Sequence, residues 1–488
     1  MNSRSRVKSV EWVAPFVSGV ILLAIYLLTL APTITWAHHG ADGGDLVTAV
    51  ARGSIPHPPG FPAYLMLGGL FIRLPFGNPA WRLNLMSAVV AAGAVALTAT
   101  AVGHLLHSGI RLSGLGVQGR ASAESAVHNS RLAACTALSL GLAPLFWSQA
   151  IITEVYAVAA LFTLLVTVLA LQGRAAWALG LAWGLGTGVH PTLLFLTPLV
   201  FWAAWKKPHL AERARFLVQV GILTLLGWGV MYGPVLLARG GVPSPWGDVS
   251  TLEGWWSLIS GRIYRDYLFG LPPSAWSQRF LAWLGLLARQ FTPFGAVLTG
   301  LGWMRLWEGT RALALVSTLV FGAFSLYAVG YDTADSLVYL VMALPMAALW
   351  LGIGIGQAVD WLSRQVRQGV WAIWLLPLAQ ALLFWGQMDV SGDWTAMAWA
   401  EQVLRTAPPQ AVLFTDQDRH TFTLWYVHGV LGERPDVAVI DGDLWALEPY
   451  RRTMGTELGI GSVEGDLSPE DAARLVGRPV VICCDNDG

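Results

Sequence analysis

Residues 31–90 read APTITWAHHGADGGDLVTAVARGSIPHPPGFPAYLMLGGLFIRLPFGNPAWRLNLMSAVV, and the reading of this stretch decides the fold. It is a loop rich in glycine and proline between two apolar runs, 11–31 and 83–107. Each run is long enough to cross a bilayer, which takes about 20 residues. Inside the loop, Asp45–Gly53 has the pattern of a short amphipathic helix, with Leu46, Val47 and Val50 on one side. Residues 58–74 are apolar but broken by Pro and Gly, which suits a helix lying in the membrane interface. As a further span they would turn the next basic loop outward.

Nine more apolar runs follow, at 131–148, 152–172, 176–189, 191–205, 216–238, 280–300, 311–330, 336–357 and 370–387. The runs at 176–189 and 191–205 are short and meet at His190-Pro191, so a single kinked span is the alternative. Charge placement decides between them. With the N-terminus in the cytoplasm, the inner loops hold Arg4, Arg6, Lys8, Arg111, Arg120, Arg131, Arg174, Lys206, Lys207, Arg213, Arg215, Arg305, Arg311, Arg364 and Arg367. The longer outer loops hold Arg52, Arg73, Arg82, Arg239, Arg262, Arg265 and Arg279. A single span over 176–205 would move the later basic loops outside. The expected fold is therefore an all-α polytopic membrane protein of about eleven spans, N-terminus inside. The first apolar stretch, with no small-residue cleavage site after it, reads as an anchor rather than a signal peptide.

Composition agrees. The 488 residues are 55% hydrophobic and 12% charged, with 25 Trp and 53 Gly, residues favoured in membrane proteins. Thirty basic residues balance thirty acidic ones, which leaves no positive excess for nucleic acid. Three cysteines make no disulfide framework. The chain divides into a membrane part, 1–387 with its first outer loop at 32–82, and a tail, 388–488, on the outer face. In the tail AVLF (411–414), DVAVID (436–441) and PVVICC (479–484) read as buried strands, and Thr421–Leu431 and Pro469–Val476 as helices. That is a small C-terminal α/β domain without a phosphate-binding glycine loop.

The candidate chemistry collects on the outer face. Asp42 and Asp45 share a face if the loop helix starts at Asp42. An N-cap role for Asp42 and a solvated first-turn role for Asp45 are the commoner uses of such residues. His57 begins a proline-fixed turn, and with His38 and His39 it matches no metal signature. Arg82 and Asn84 open the second span, where Arg82 either snorkels to headgroups or binds phosphate. Glu154 and Tyr156 stand at the outer start of the fourth span, and an acid among apolar neighbours there is a functional candidate. Arg262 and Arg265 lie among aromatics in the 239–279 loop and suit an interfacial belt or a lipid-phosphate clamp. Asp332 and Asp335 sit beside Tyr331 and Tyr339 in the last outer turn.

These features together resemble a known family. Asp42-Gly43-Gly44-Asp45, His57-Pro58-Pro59-Gly60-Phe61-Pro62, Arg82-Leu83-Asn84 with Ser87, and Glu154-Val155-Tyr156 carry the resemblance, joined in the tail by Thr421-Phe422 through Tyr426 and Arg434-Pro435-Asp436-Val437. The chain looks like a GT-C integral-membrane glycosyltransferase. It looks closest to the bacterial domain-of-unknown-function 2723 group, whose animal relatives are protein O-mannosyltransferases. The second acid of the first loop is more often Glu in that pattern; here it is Asp45. The resemblance implies a polyprenyl-phosphate sugar donor, a mannose-like hexose, and transfer with inversion to an acceptor hydroxyl on the outer side of the plasma membrane. It makes Asp42 the general base with Asp45 in reserve, and the acceptor a protein, lipid or glycan. Arg82, Arg262 and Arg265 become candidates to hold the leaving phosphate. The sequence identifies no cofactor and leaves metal dependence open; Asp42 and Asp45 could share a divalent cation. The rival class is a transporter or flippase of a lipid-linked sugar, which would place its ionisable groups at the bilayer midplane on repeated helices. Here the acids stand at span ends and no repeat is visible.

Overall fold

The structure is a computed structural model that describes residues 3–107, 123–237, 244–365 and 369–459, and of 468–483 all but 469, 470, 472, 475 and 476. Arg111, Arg120, Arg239 and Arg367 of the charge count, and most of the expected Pro469–Val476 helix, lie outside the described residues. Each of the eleven expected apolar runs is helical over most of its length. Among the described residues, five helices are individually long and apolar enough to cross a membrane, and eight if each of three bent pairs counts as one span. Ser3–Thr29, Pro79–His107 and Leu210–Leu237 are the longest.

The bends correct the reading of the apolar runs. The run at 280–300 is two helices, Trp276–Gln290 and Thr292–Gly309, meeting at 95°. The run at 131–148 breaks between Ala123–Gly141 and Pro144–Ala150, with an angle of 72°. Pro at the first turn of the second helix starts it afresh in both cases. The runs meeting at His190-Pro191 are separate helices, Ala176–Thr187 and Pro191–Trp205.

Glycines let these helices pack without a hydrophobic driving force between them. A Cβ on Gly184 would lie 2.3 Å from the Thr224 carbonyl oxygen, and one on Gly180 would lie 2.6 Å from that of Val220. Spaced four residues apart, the two bring Ala176–Thr187 backbone to backbone with Leu210–Leu237. Gly302 and Gly354 do the same for Thr292–Gly309 and Leu344–Gln365, with Cβ positions 1.8 and 1.9 Å from opposing carbonyl oxygens.

The first loop carries the helices Gly43–Arg52 and Pro62–Phe71. In the tail, strands β1 (Val412–Thr415), β2 (Ala438–Asp441) and β3 (Val480–Ile482) form a parallel sheet in the order β2-β1-β3. The central strand is buried along its whole length, as its unbroken apolar run requires. The expected Thr421–Leu431 helix begins earlier, at Asp418, and passes into a π-helical turn over Trp425–Val430. Thr395–Thr406 and Glu448–Leu458 are additional tail helices.

Candidate active site

The loop helix Gly43–Arg52 follows a tight 3-10 turn over Ala37–Asp42, in which His38 and His39 take left-handed backbone angles. Asp42 stands at its N-cap position, but its side chain makes no capping hydrogen bond. It turns to His57, whose Nε2 lies 3.5 Å from Asp42 Oδ2. Asp45 is not a solvated acid either, since only 3% of its side chain is exposed. Its Oδ2 accepts from both the backbone N–H and Nδ1 of His57, each at 2.8 Å. The His57 imidazole thus sits between the two carboxylates, in the place an ion shared by them would need. The residues present do not suit that ion, and among the described residues no group of three or more His, Cys, Asp or Glu could hold a metal.

Charge follows from this geometry. Burial opposes a proton on His57, but Asp42 and the bonded Asp45 outweigh it and push its pKa up to about 9. Burial raises the Asp42 pKa, with His57 opposing and Asp335 and Asp45 adding to the rise. The raised pKa of His57 keeps it protonated near neutral pH, with Nδ1–H donated to Asp45 and Nε2 facing Asp42 at 3.5 Å. Asp42 lies deep in the protein, yet 30% of its side chain is open to a cavity.

That cavity has a volume of about 470 Å³. Asp42, His57, Asp335 and Arg265 line it, together with six tyrosines: Tyr156, Tyr264, Tyr267, Tyr327, Tyr331 and Tyr339. The Tyr327 and Tyr339 rings meet edge to face at 4.9 Å, and Tyr156 and Tyr331 each lie 5.7 Å from Tyr339. Aromatic walls with a few convergent polar groups are what a sugar-sized ligand requires. His190 adds a buried ring whose Nδ1 accepts from the Thr192 backbone N–H.

The other expected site residues lie elsewhere. Arg82 donates to the carbonyls of Ile72 and Phe76, at 2.6 and 3.0 Å, and so latches the turn after Pro62–Phe71 rather than reaching a headgroup. Asn84 is buried, donating to Ala31 and Thr33 carbonyls and accepting from the Thr153 hydroxyl. Arg262 is largely exposed and pairs with Glu253 at 3.2 Å. Asp332 donates its backbone N–H to Tyr267 at 2.9 Å and does not line the cavity. Glu154 is buried, and its Oε1 has no hydrogen-bond partner among the described residues.

The tail also reaches the cavity. Asp418 and Phe422, on one helix, both line it. Phe422 stacks parallel to His57 at 6.4 Å. The approach depends on Gly44, where a Cβ would lie 2.1 Å from the Phe422 carbonyl oxygen. Trp36 Nε1 donates to the Arg419 carbonyl and the Thr423 hydroxyl, tying the same helix to the first loop. Neither Asp418 nor His190 carried a sequence signal for the cavity.

Fold comparison places this arrangement in a class. ArnT from Cupriavidus metallidurans bound to undecaprenyl phosphate superposes with a TM-score of 0.53 at 13% identity, over 88% of this chain and 90% of that one. The apo form of the same protein gives 0.50 at 12% identity, over 88% and 89%. The chain is a multi-pass membrane protein with the GT-C fold.

Its sequence relatives narrow the class. Residues 42–212 match the model of the protein O-mannosyl-transferase TMEM260 N-terminal domain, and residues 396–457 match TMEM260-associated domain 2. The mouse protein O-mannosyl-transferase TMEM260 is 25% identical over 474 residues, covering 89% of this chain and 63% of the relative. The Dictyostelium discoideum protein O-mannosyl-transferase tmem260 is 22% identical over 498 residues, covering 88% and 57%. The chain thus spans about three-fifths of the length of these curated relatives, and its similarity to the TMEM260 O-mannosyl-transferase models lies in the first loop with the helices that follow it and in the tail.

Proposed function

We propose that the chain transfers a hexosyl group, mannose-like, from a polyprenyl-phosphate donor to a Ser or Thr hydroxyl of a polypeptide. The reaction runs with inversion on the outer side of the plasma membrane, with the N-terminus cytoplasmic and residues 388–488 outside. The observation that carries this reading is one tyrosine-walled cavity lined by both Asp42 and Arg265. The likeness to a fold seen with undecaprenyl phosphate supports the lipid carrier.

In this mechanism Asp42 accepts the proton of the acceptor hydroxyl as its oxygen attacks the anomeric carbon. The bond from that carbon to the phosphate oxygen breaks, and the electron pair leaves with the polyprenyl phosphate. Arg265 stabilises the charge gathering on the phosphate. The tyrosines hold the sugar between the two and exclude water. The direct test is the purified protein in nanodiscs with polyprenyl-phosphate mannose and a Thr-containing peptide. Covalent transfer is expected, and movement of the lipid between leaflets without transfer would replace this reading by transport.

The pH dependence follows from the two shifted groups. Asp42 acts ionised, so kcat/KM rises with pH through a carboxyl pKa above the usual value. His57 must keep its proton to stay ion-paired with both carboxylates, so activity falls as the pH passes about 9. The stability sign is the same on the alkaline side. His57 has a folded pKa above its free value of 6.5, so its ion pairing is fully present below pH 6.5 and lost through about 9. A bell-shaped profile with that alkaline limb is the expected result, and a profile flat across pH 9 would remove His57 from it.

A further inference from the structure

Among the acids of the tail, Asp418 stands apart from those whose carboxylates are bonded within the fold. Asp441 accepts from the Thr421 hydroxyl and the Leu444 N–H. Asp436 pairs with Arg434 at 2.8 Å. The Asp418 side chain makes no hydrogen bond or ion pair among the described residues, yet it stands at the start of a tail helix that reaches the cavity. It also faces like charge. Its side chain is open to the cavity, yet the partial shielding of the site and then the Asp42 and Asp441 carboxylates push its pKa up to about 7, with His57 opposing. An unpaired carboxylate held beside other acids is unfavourable in the free protein, and a ligand that brings positive charge or N–H donors relieves it.

The helix is not there by loose contact. Gly44 admits its backbone, Trp36 bonds it twice, and Phe422 lies over His57. Phe422 and Asp418 are one turn apart, so the contact that buries Phe422 also fixes where the carboxylate stands.

Inversion sets which substrate it meets. In-line displacement puts the incoming hydroxyl and the leaving phosphate on opposite sides of the anomeric carbon. Asp42 marks the acceptor side and Arg265 the phosphate side. Asp418 lines the cavity together with Asp42 and His57, and Phe422, one turn further along the same helix, stacks on His57, which puts Asp418 on the acceptor side. We propose that Asp418 is the acceptor-recognition residue, binding a basic side chain or free N–H groups next to the acceptor hydroxyl of a polypeptide, and so selecting acceptors with a positive flank. The tail thereby supplies substrate choice to chemistry carried by the first loop. This inference rests on the glycosyltransferase reading above.

The test uses the full chain in nanodiscs with polyprenyl-phosphate mannose and two peptides that differ only in Lys or Glu beside the Thr. Wild type is expected to favour the Lys peptide by about tenfold in kcat/KM. Asp418→Asn should bring the two peptides together by raising KM for the Lys peptide, while KM for the lipid donor stays put. Asp418→Lys should reverse the order. Equal use of the peptides by wild type, an unchanged preference in Asp418→Asn, or a donor KM that moves as far as the peptide KM would overturn the proposal. So would donor hydrolysis by wild type with transfer to neither peptide. No donor turnover at all would overturn the glycosyltransferase reading instead.

Discussion

Replacing Asp42 by Asn should lower kcat by about 10³-fold, within the range a positioned general base contributes, with the fold intact. The substitution is nearly isosteric, and Asp42 makes no capping hydrogen bond for its removal to break. The Asn side-chain oxygen can keep its place beside His57 Nε2, where the carboxylate oxygen lies 3.5 Å away. What is lost is the ability to take a proton. A melting temperature within a few degrees of wild type, together with loss of transfer, separates chemistry from structure. Retained transfer would move the base elsewhere, and Asp335, on the same cavity wall, would be the next residue to examine.

Replacing His57 should hurt stability and activity together. His57 neutralises Asp45, and breaking a buried pair by removing one partner costs about 3–5 kcal/mol. His57→Ala leaves the nearly inaccessible Asp45 carboxylate with the residue 57 backbone N–H in place of the pair it has now. It also removes the ring on which Phe422 stacks, and so loosens the tail. His57→Asn separates these effects, because its amide can reproduce the Nδ1 donor but not Nε2. The Asn variant should recover most of the stability while remaining well below wild type in kcat. Thermal unfolding of both variants, with His57→Ala combined with Asp45→Asn, measures the coupling. If the double variant is no more stable than His57→Ala, the unpaired Asp45 charge is not the cause.

The first loop was legible because its parts are close in sequence. Acidic residues spaced for one helix face and a proline-fixed turn twelve residues after Asp45 are local patterns, and the structure joins them through His57. Their polarity was legible, but their partners were not. Asp42 read most simply as a cap, and instead its carboxylate turns to a histidine whose side chain comes back over the helix. Arg82 offered a headgroup or a phosphate role, and it is used on two backbone carbonyls that no pattern of side chains reports. Hydropathy found the run at 280–300 but not its 95° turn, since apolarity carries no information about chain direction. Asp418 was out of reach for a different reason. It lies in a separate sequence block, and its approach to Asp42 rests on a close contact at Gly44, whose distant partner no local pattern reports.

The proposed donor asks a carboxyl-rich pocket to hold an anionic lipid phosphate. The cavity lining combines Asp42, Asp335 and Asp418 with Arg265 and the protonated His57. In the proposed reaction Asp42 serves as base and Arg265 as phosphate ligand within one sugar-sized space. A structure of the protein with a polyprenyl-phosphate sugar bound tests this most directly. The account predicts the sugar among the tyrosines, the phosphate on Arg265, and the face of the anomeric carbon opposite the phosphate turned to Asp42. A sugar bound outside this cavity, or a phosphate lying beside Asp42 instead, would contradict it.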